Sequence, residues 1–264
     1  MIISVHIPKT AGTAFRDYLA SIFGEGLAWD YGLTSPDTSH SILYCLEGWR
    51  HDLSADIFRR RCRELHIEVI HGHFMARFYR RIVPAADYIC WLREPVDRVV
   101  SEFNQMRRQP DPHNPTTVEV SEGRMGLGEF AALDFQRDIQ AKWLQGAALE
   151  VFAFVGLAED FAGSLDRFDA RFGISGVERP GRVNSYPPEV VADAALRDHI
   201  AALNRRDMDL YDEAVKLIGV ATPVLPSDFD PAAYLALNAD IADAGHDPVA
   251  HYLNHGRHEG RRWQ

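Results

Sequence analysis

Two short apolar runs, each followed by a turn and then by helical spacing, stand out along the chain. Residues 2–7 are mostly apolar and β-branched, a turn covers 8–13, and helical spacing begins at Ala14. A second apolar run at 86–92 passes through a turn at 93–98 into a stretch with helical spacing. This order predicts a strand, a tight turn and a helix at both places.

The first turn, Pro8-Lys9-Thr10-Ala11-Gly12-Thr13, has the residue types of an anion-binding loop. A strand-to-helix turn directs backbone N–H groups and a helix N-terminus at one point, which suits a phosphate or sulfate. Lys9 adds a mobile positive charge, and Thr10 and Thr13 add hydroxyl donors. The same residues are also common at a helix start capped by threonine. They do not form the P-loop of nucleoside triphosphatases, because no glycine precedes Lys9.

The second turn places an arginine where the apolar run ends. The guanidinium of Arg93 can bind a phosphate through two parallel hydrogen bonds. Ser101 lies about two turns along the following helix, and its hydroxyl can reach the same group. An ordinary strand-to-helix turn with an Arg–Glu surface pair is the alternative interpretation of this segment.

The two segments together resemble the cofactor-binding motifs of the carbohydrate sulfotransferases, which use 3′-phosphoadenosine 5′-phosphosulfate (PAPS). Residues 7–13 are similar to the loop that binds the 5′-phosphosulfate, and residues 92–103 to the segment that binds the 3′-phosphate. The resemblance implies that Arg93 and Ser101 bind the 3′-phosphate. It also implies that loop amides hold the 5′-phosphosulfate, at Lys9, Thr10, Ala11, Gly12, Thr13 and Ala14.

The resemblance also assigns roles within the loop. Lys9 is expected to neutralise charge that builds on the leaving phosphate oxygen, and Ser101 to restrain Lys9 until the acceptor binds. No metal is required, because Lys9 and the amides take its place, and the product is adenosine 3′,5′-bisphosphate. Ala11 stands where many relatives have glycine, which is tolerable only if this residue avoids a positive φ.

A third segment contains His71-Gly72-His73 and resembles the His-Gly-His segment of the heparan sulfate and uronyl 2-O-sulfotransferases. This resemblance implies that His73 is the catalytic base, with His71 in support. A neutral histidine is well suited to remove the proton from a sugar hydroxyl as the hydroxyl attacks sulfur. Taken alone, the segment also fits a structural role or a metal ligand, although no third ligand lies at a recognisable spacing.

The resemblance extends over roughly residues 1–219. Four later segments correspond to a helix, a strand with its turn, a loop near the adenosine 3′-phosphate and a closing helix, at 138–146, 154–161, 182–185 and 207–214 respectively. The expected fold is α/β, with a P-loop-like central parallel sheet, helices on both faces and the ligand at the carboxyl ends of the strands.

The 264 residues suffice for one α/β domain and an appendage. We expect a sulfotransferase domain at 1–221 and a small helical C-terminal module at 228–264, whose Asp-Pro pairs are typical of helix starts. Tyr234, Leu235, Tyr252 and Leu253 are expected on the inside of this module. Surface and capping roles explain its histidines better than a metal site does: His246, His251, His255 and His258.

Two regions of the first domain are harder to interpret. Residues 22–66 are expected to alternate polar loop and short helix, with Trp29, Tyr31 and Trp49 in the core rather than in an acceptor cleft. Proline-rich residues 109–128 predict a long loop, which either covers the acceptor site or is a disordered insertion.

Charge and cysteine content narrow the function classes. A net charge of −10 argues against a general nucleic-acid binder. Two arginine clusters form either a solvated face or a rim for an anionic glycan: Arg77, Arg80 and Arg81, then Arg107 and Arg108. Three cysteines without a pairing pattern, no recognisable secretory signal and no apolar membrane span favour a cytoplasmic enzyme.

The sequence therefore predicts sulfuryl transfer from PAPS to a hydroxyl of a carbohydrate acceptor. One alternative is a kinase-like phosphoryl-transfer enzyme, which needs a Walker-type loop and acidic Mg²⁺ ligands that are not in register here. A non-catalytic glycan-binding module on the same fold is another. The identity of the acceptor and the oligomeric state stay open.

Overall fold

The structure, a computed structural model, describes residues 1–47, 55–145, 147–179, 189–219, 226, 229–243, 248–252 and 261–263. Its centre is a five-stranded parallel sheet with the order β2-β3-β1-β4-β5. The strands are β1 Ile2–Val5, β2 Leu27–Asp30, β3 Val69–Gly72, β4 Asp87–Leu92 and β5 Phe154–Leu157. The expected α/β fold with a central parallel sheet is confirmed.

Helices connect and cover these strands. The first group is α1 Gly12–Phe23, α2 His40–Glu47, α3 Ala55–Glu64, α4 Ala76–Arg80, α5 Pro95–Arg108, α6 Pro115–Ser121 and α7 Leu127–Ala131. The second group is α8 Ile139–Leu144, α9 Phe161–Phe172, α10 Ala194–Leu203, α11 Arg205–Ile218, α12 Pro231–Leu237, α13 Ala239–Asp243 and α14 Pro248–His251. No helix of the described ranges combines the length and the apolar character needed to cross a bilayer.

The strands alternate between two hydrophobic cores, as the two-residue period of a strand requires. Ile3 of β1 and Cys90 of β4 face a core that also contains residues of α3, α4, α8 and α11. Ile2 and Trp91 face the opposite core, which contains residues of α1 and α9. Helices therefore cover both faces of the sheet, and the carboxyl ends of the strands stay open to form a site.

Both predicted strand–turn–helix junctions are confirmed. β1 ends at Val5 and α1 begins at Gly12, while β4 ends at Leu92 and α5 begins at Pro95. β1 pairs with β3 on one side and with β4 on the other. The chain leaves β1 toward β2 and leaves β4 toward β5, so the connections diverge at these neighbouring strands. The carboxyl edge beside β1 is therefore the expected ligand position for this topology.

The prediction of a long loop over residues 109–128 is wrong. α6 occupies residues 115–121 in its middle and α7 begins at Leu127. Pro115 lies in the first turn of α6, and the side chain of Asn114 accepts from the N–H of Thr116 as the N-cap. Val120 is fully buried against α5 residues, so α6 is an ordinary packed helix between two short loop segments. The proline that looked like a loop residue starts the helix instead.

The expectation that residues 22–66 alternate polar loop and short helix agrees with α2 and α3 but is incomplete. It missed β2, a four-residue strand that pairs with β3. Its Leu27-Ala28-Trp29-Asp30 run is too short to show a two-residue alternation. Trp49 lies outside the described residues.

Part of the C-terminal module is described as α12, α13 and α14. Tyr234 and Tyr252 are buried there with Phe229 and Ile241, and Leu235 packs against them. The hydroxyl of Tyr234 lies 2.7 Å from His251 Nδ1, which gives this histidine a structural partner. Outside the described residues lie Leu253, His246, His255, His258 and the predicted loop 182–185. The division into domains at 1–221 and 228–264 stays a prediction.

Candidate active site

The loop between β1 and α1 has an unusual backbone. Lys9 has φ 69° and Ala11 has φ 68°, both in the left-handed region. The condition under which alanine would be free of strain here, a negative φ, is therefore not met, because Ala11 is the N-cap of α1 and turns the chain into the helix. A left-handed alanine costs roughly 1–2 kcal/mol. The buried hydroxyl of Thr10 donates to the carbonyl of Ile7 over 2.9 Å and closes the turn.

The amides of this loop are available to a ligand. The first hydrogen bond of α1 runs from the N–H of Phe15 to the carbonyl of Ala11 at 3.2 Å. Within the described residues, the N–H groups of 10–14 have no acceptor. Successive free amides at a helix N-terminus form a concave donor surface that suits phosphate or sulfate.

The ammonium of Lys9 is tied to α5. Its Nζ donates to Oε1 of Gln105, which lies one helical turn after Ser101. Sequence reasoning assigned this restraint to Ser101 and missed Gln105, although the four-residue spacing puts both on one face of the helix. Burial lowers the pKa of Lys9, and nearby guanidinium groups lower it further, whereas the carboxylate of Glu102 raises it.

Arg93 lies directly after β4, beside the loop. Its Nη1 donates to the carbonyl oxygen of Lys9 over 3.3 Å. Its backbone is held at both ends by one side chain, because its N–H donates to Gln140 Oε1 at 2.9 Å and its carbonyl accepts from Gln140 Nε2 at 2.8 Å. Gln140 is fully buried on α8. The sequence placed this helix but gave no sign that Gln140 supports Arg93.

The start of α5 is fixed by carboxylates. The side chain of Glu94 caps the N–H of Asp97 at 2.7 Å, and the N–H of Glu94 donates to Glu159 at 2.9 Å. Arg197 from α10 donates to Asp97 at 2.7 Å. Burial, and next the charge of Asp97, raise the pKa of Glu94 to about 7. The turn that carries Arg93 is therefore held by the first turn of α5, by the segment after β5 and by α10.

On the other side of β1, three histidines lie together. The ring centroid of His6 is 4.9 Å from that of His71 and 4.4 Å from that of His73. Nδ1 of His71 lies 2.8 Å from the hydroxyl of Ser4, while Nδ1 of His6 lies 3.5 Å from the hydroxyl of Tyr31. Sequence reasoning missed His6, because only the pairing of β1 with β3 brings it to the other two.

Gly72 and Gly12 lie where a side chain would clash with neighbouring atoms. A Cβ at Gly72 would lie 1.7 Å from the carbonyl oxygen of Asp30, which instead accepts the N–H of His73 at 2.8 Å. A Cβ at Gly12 would lie 1.9 Å from Cδ2 and Nε2 of His6. Gly72 thus lets β3 approach β2, and Gly12 makes room for the imidazole of His6.

All three imidazoles are neutral at pH 7. Burial lowers the pKa of His71 to about 3, with a smaller effect of His73. Burial, and next the charge of His71, lower the pKa of His6 well below its usual value. His73 is exposed on one side and packed on the other, against His6, Tyr31 and Trp143. The packed side desolvates the imidazole and lowers its pKa to about 4.

A cavity of about 270 Å³ opens next to the histidines. It is lined by Arg16, Asp17, Trp29, Tyr31 and Asp37. Tyr31 links the cavity to the three histidines, because its ring also packs on His73 with 4.8 Å between the ring centroids. Trp29 and Tyr31, which we expected in the core, therefore line a cavity, although Trp29 also packs against the core beneath α1.

The described part of the chain holds no group of three or more His, Cys, Asp or Glu side chains arranged to bind a metal ion. Ser101 lies partly buried on α5, and Thr13 and Ala14 lie in the first turn of α1. Lys9, His73 and Arg93 thus follow three neighbouring strands, β1, β3 and β4, whereas Ser101 lies about two turns along α5.

Comparisons with known proteins give similarities at the level of the fold. No protein-family model matches the sequence, and no curated protein matches it at a significant level. Among solved structures, the chain is similar to mouse sulfotransferase SULT7A1 complexed with PAP, at 18% identity and a TM-score of 0.37. That match covers 76% of this chain and 62% of the mouse protein, so the chain spans less than two thirds of its length.

A second similar structure is a sulfotransferase from Alicyclobacillus acidocaldarius, at 17% identity and a TM-score of 0.43. The match covers 83% of this chain and 95% of the bacterial protein.

Proposed function

We propose that this protein transfers a sulfuryl group from PAPS to a hydroxyl of a carbohydrate acceptor. The observation that carries the proposal is the adjacency of three strand ends at one edge of the sheet. β1 leads into the loop with free amides and Lys9, its neighbour β4 leads into Arg93, and its other neighbour β3 leads into His73. An anion site and a neutral base therefore flank the same strand.

The charge around Lys9 supports a polyanionic ligand. Three guanidinium groups act on its pKa, from Arg93, Arg98 and Arg108, and Glu102 is the carboxylate that opposes them. This local excess of positive charge occurs in a chain with a net charge of −10. A bound dianion would relieve the mutual repulsion and raise the pKa of Lys9.

PAPS supplies the activated sulfuryl group and a phosphate leaving group. The free amides of residues 10–14 would hold the 5′-phosphosulfate, with Lys9 stabilising the negative charge on the leaving oxygen. Arg93 and Ser101 would hold the 3′-phosphate, as the resemblance implies. Lys9 follows β1 and Arg93 follows β4, so two adjacent strand ends would each supply donors to one of the two anionic groups of the ligand. The 3.3 Å hydrogen bond from Arg93 to the carbonyl of Lys9 joins these two sets of donors.

His73 would act as the general base. Its lowered pKa leaves it neutral at pH 7, so it can accept the proton of the attacking hydroxyl without first losing one. Its exposed side gives an acceptor hydroxyl access to a ring nitrogen. His71 is buried, and its Nδ1 lies within hydrogen-bonding distance of the Ser4 hydroxyl, which is consistent with a supporting role.

The cavity beside His73 supports a sugar acceptor. Trp29 and Tyr31 offer aromatic faces, and Arg16 with Asp17 and Asp37 offers donors and acceptors for ring hydroxyls. The exposed arginines that follow His73 would form a rim for an anionic glycan, at 77, 80 and 81. A cytoplasmic location remains part of the proposal, since Cys45, Cys62 and Cys90 are all free thiols.

The test is a thermal-shift titration with adenosine 3′,5′-bisphosphate, AMP and ATP. A ligand at 100 times its Kd adds about 2.7 kcal/mol of stability, and each kcal/mol raises Tm by roughly 2–4 °C in a domain of this size. We expect a large shift with the bisphosphate alone, and its loss in Arg93→Ala.

Arg60→Ala is the matched control, because Arg60 is an exposed arginine on α3 whose ion pair with Glu64 is also exposed. The control should shift like the wild type. An equal response to AMP or ATP would contradict the proposal and favour a phosphoryl-transfer enzyme. A confirmed bisphosphate site would then justify a screen of labelled sulfate transfer from PAPS to neutral and uronic-acid glycans.

A further inference from the structure

His6 lies between the two halves of the candidate site. It follows β1 directly and precedes Pro8, and its N–H donates to the carbonyl of Gly72 over 2.9 Å. This backbone bond fixes His6 against the end of β3. The imidazole is partly buried. One side faces the loop at Gly12, which we call the loop side, and the other faces His73, which we call the base side.

On the loop side, the ring fills the space above the first residue of α1. A Cβ on Gly12 would lie 1.9 Å from both Cδ2 and Nε2 of His6. The amide of Gly12 is one of those proposed to hold the donor. Any displacement of the loop toward the histidines must therefore move the imidazole of His6, since packed side chains resist compression.

On the base side, the same ring packs on His73. The two centroids are 4.4 Å apart with the planes at 61°. Nδ1 of His6 also lies 3.5 Å from the hydroxyl of Tyr31, whose ring contacts His73 at 4.8 Å. His6 thus supports His73 directly and through Tyr31.

We propose that His6 is a positioning residue that couples occupancy of the anion-binding loop to the orientation of His73. The coupling rests on the proposed function, because it assigns donor binding to the loop and proton removal to His73. His6 does not touch the reacting atoms in this scheme. Its contacts transmit the position of Gly12 to the base, so that the base is aligned only when the loop is fixed by the donor.

The surroundings of His6 keep its imidazole neutral. The ionisable groups that face it come from β3, α1, the loop and the end of β2: His71, His73, Arg16, Lys9 and Tyr31. Burial and then His71 are the main causes of its lowered pKa, and the two cations add to them. A bound anion beside Lys9 would offset part of the cationic effect. The ring stays neutral over the working range and acts by its shape and its hydrogen bond.

The experiment follows the imidazole resonances of ¹⁵N-histidine-labelled protein while adenosine 3′,5′-bisphosphate is added, with His73 assigned from His73→Gln. In the wild type we expect His73 to shift on binding, although the ligand is proposed to lie in the loop. In His6→Ala we expect this shift to fall at least threefold, while the Kd of the bisphosphate stays within threefold. We also expect the pKa of His73 to rise toward 6.5 in His6→Ala, because water replaces the ring.

His199→Ala is the control, since His199 is exposed on α10, and it should leave both quantities unchanged. His6→Asn keeps a hydrogen-bond acceptor for Tyr31 and leaves a smaller cavity than His6→Ala does, so it replaces His6→Ala if that variant does not fold. We expect the same decrease in the His73 shift. An undiminished His73 response in variants that bind the bisphosphate overturns the coupling and leaves the proposed function standing. Failure of the wild type to bind the bisphosphate overturns both.

Discussion

The guanidinium of Arg93 donates to the main-chain carbonyl of Lys9 over 3.3 Å, which links the turn after β4 to the loop after β1. The two residues are 84 positions apart in sequence and lie on adjacent strand ends. This bond sets the spacing between the two proposed anion subsites. The position of the guanidinium depends on the backbone of Arg93, whose N–H and carbonyl both form hydrogen bonds with the side chain of Gln140.

We therefore expect Gln140→Leu to weaken both stability and ligand binding. The substitution leaves two backbone groups of Arg93 without partners beside a buried position, and each unsatisfied group costs about 1–3 kcal/mol. Urea unfolding should show a loss of roughly 2–6 kcal/mol, and titration should show weaker binding of adenosine 3′,5′-bisphosphate. The exposed Gln109→Leu should change neither. A Gln140→Leu protein with unchanged stability would show that water replaces the side chain.

Lys9→Ala should lower turnover more than it lowers binding of the product bisphosphate. In the proposed mechanism the ammonium stabilises charge that develops only as the bond to sulfur breaks, and loss of one such group costs about 100- to 1,000-fold in kcat. The measurement is labelled sulfate transfer from PAPS to the best acceptor of the glycan screen. Lys216→Ala, an exposed lysine at the end of α11, is the control. Near-normal turnover of Lys9→Ala would remove Lys9 from the mechanism.

The parts of the fold that sequence predicted well are those with strong local patterns. The apolar runs before Lys9 and Arg93 are long enough to identify β1 and β4, and the turn residues locate the helix starts. β2 was missed because its apolar run covers only residues 27–29, whereas the run at β1 covers residues 2–7. α6 was missed because Pro115 was interpreted as a loop residue rather than as the first residue of a helix capped by Asn114. Local pattern thus placed the two junctions that carry the proposed anion subsites.

The parts of the site that sequence did not predict depend on contacts between distant segments. His6 joins His73 only through the register of β1 with β3, and Gln140 reaches Arg93 from 47 positions away. The left-handed Ala11 shows a different limit. Its preference for a negative φ is a local rule, and here the requirement to turn from β1 into α1 outweighs that rule.

Stability should fall at acid pH in a way that His71 controls. The pKa of His71 is about 3 in the folded chain and about 6.5 when unfolded. Between these values the unfolded state binds more protons, so stability is fully present above pH 6.5 and decreases as the pH falls. The contribution of one such group approaches 1.4 kcal/mol per pH unit.

His71→Asn should flatten this dependence, measured as the slope of unfolding free energy between pH 6 and pH 4. His199→Asn, on the exposed face of α10, should keep the wild-type slope. His6 and His73 also have lowered pKa values, so the slope of His71→Asn should be reduced rather than abolished. An unchanged slope would mean that His71 becomes protonated without unfolding.

Two neighbouring substitutions in the loop should act in opposite directions. Ala11→Gly removes the strain of a left-handed alanine, roughly 1–2 kcal/mol, against an entropic cost of about 0.5–1 kcal/mol, so we expect stability to stay equal or rise. Gly12→Ala adds a methyl group where the ring of His6 already lies, and overpacking of this kind costs about 1–3 kcal/mol. Urea unfolding of the two variants compares the effects directly. A stable Gly12→Ala protein would require His6 to move away from the loop, and its ¹⁵N-imidazole spectrum would then show altered His73 resonances. If both stability and the His73 resonances were unchanged, the contact between Gly12 and His6 would not be a constraint on the site.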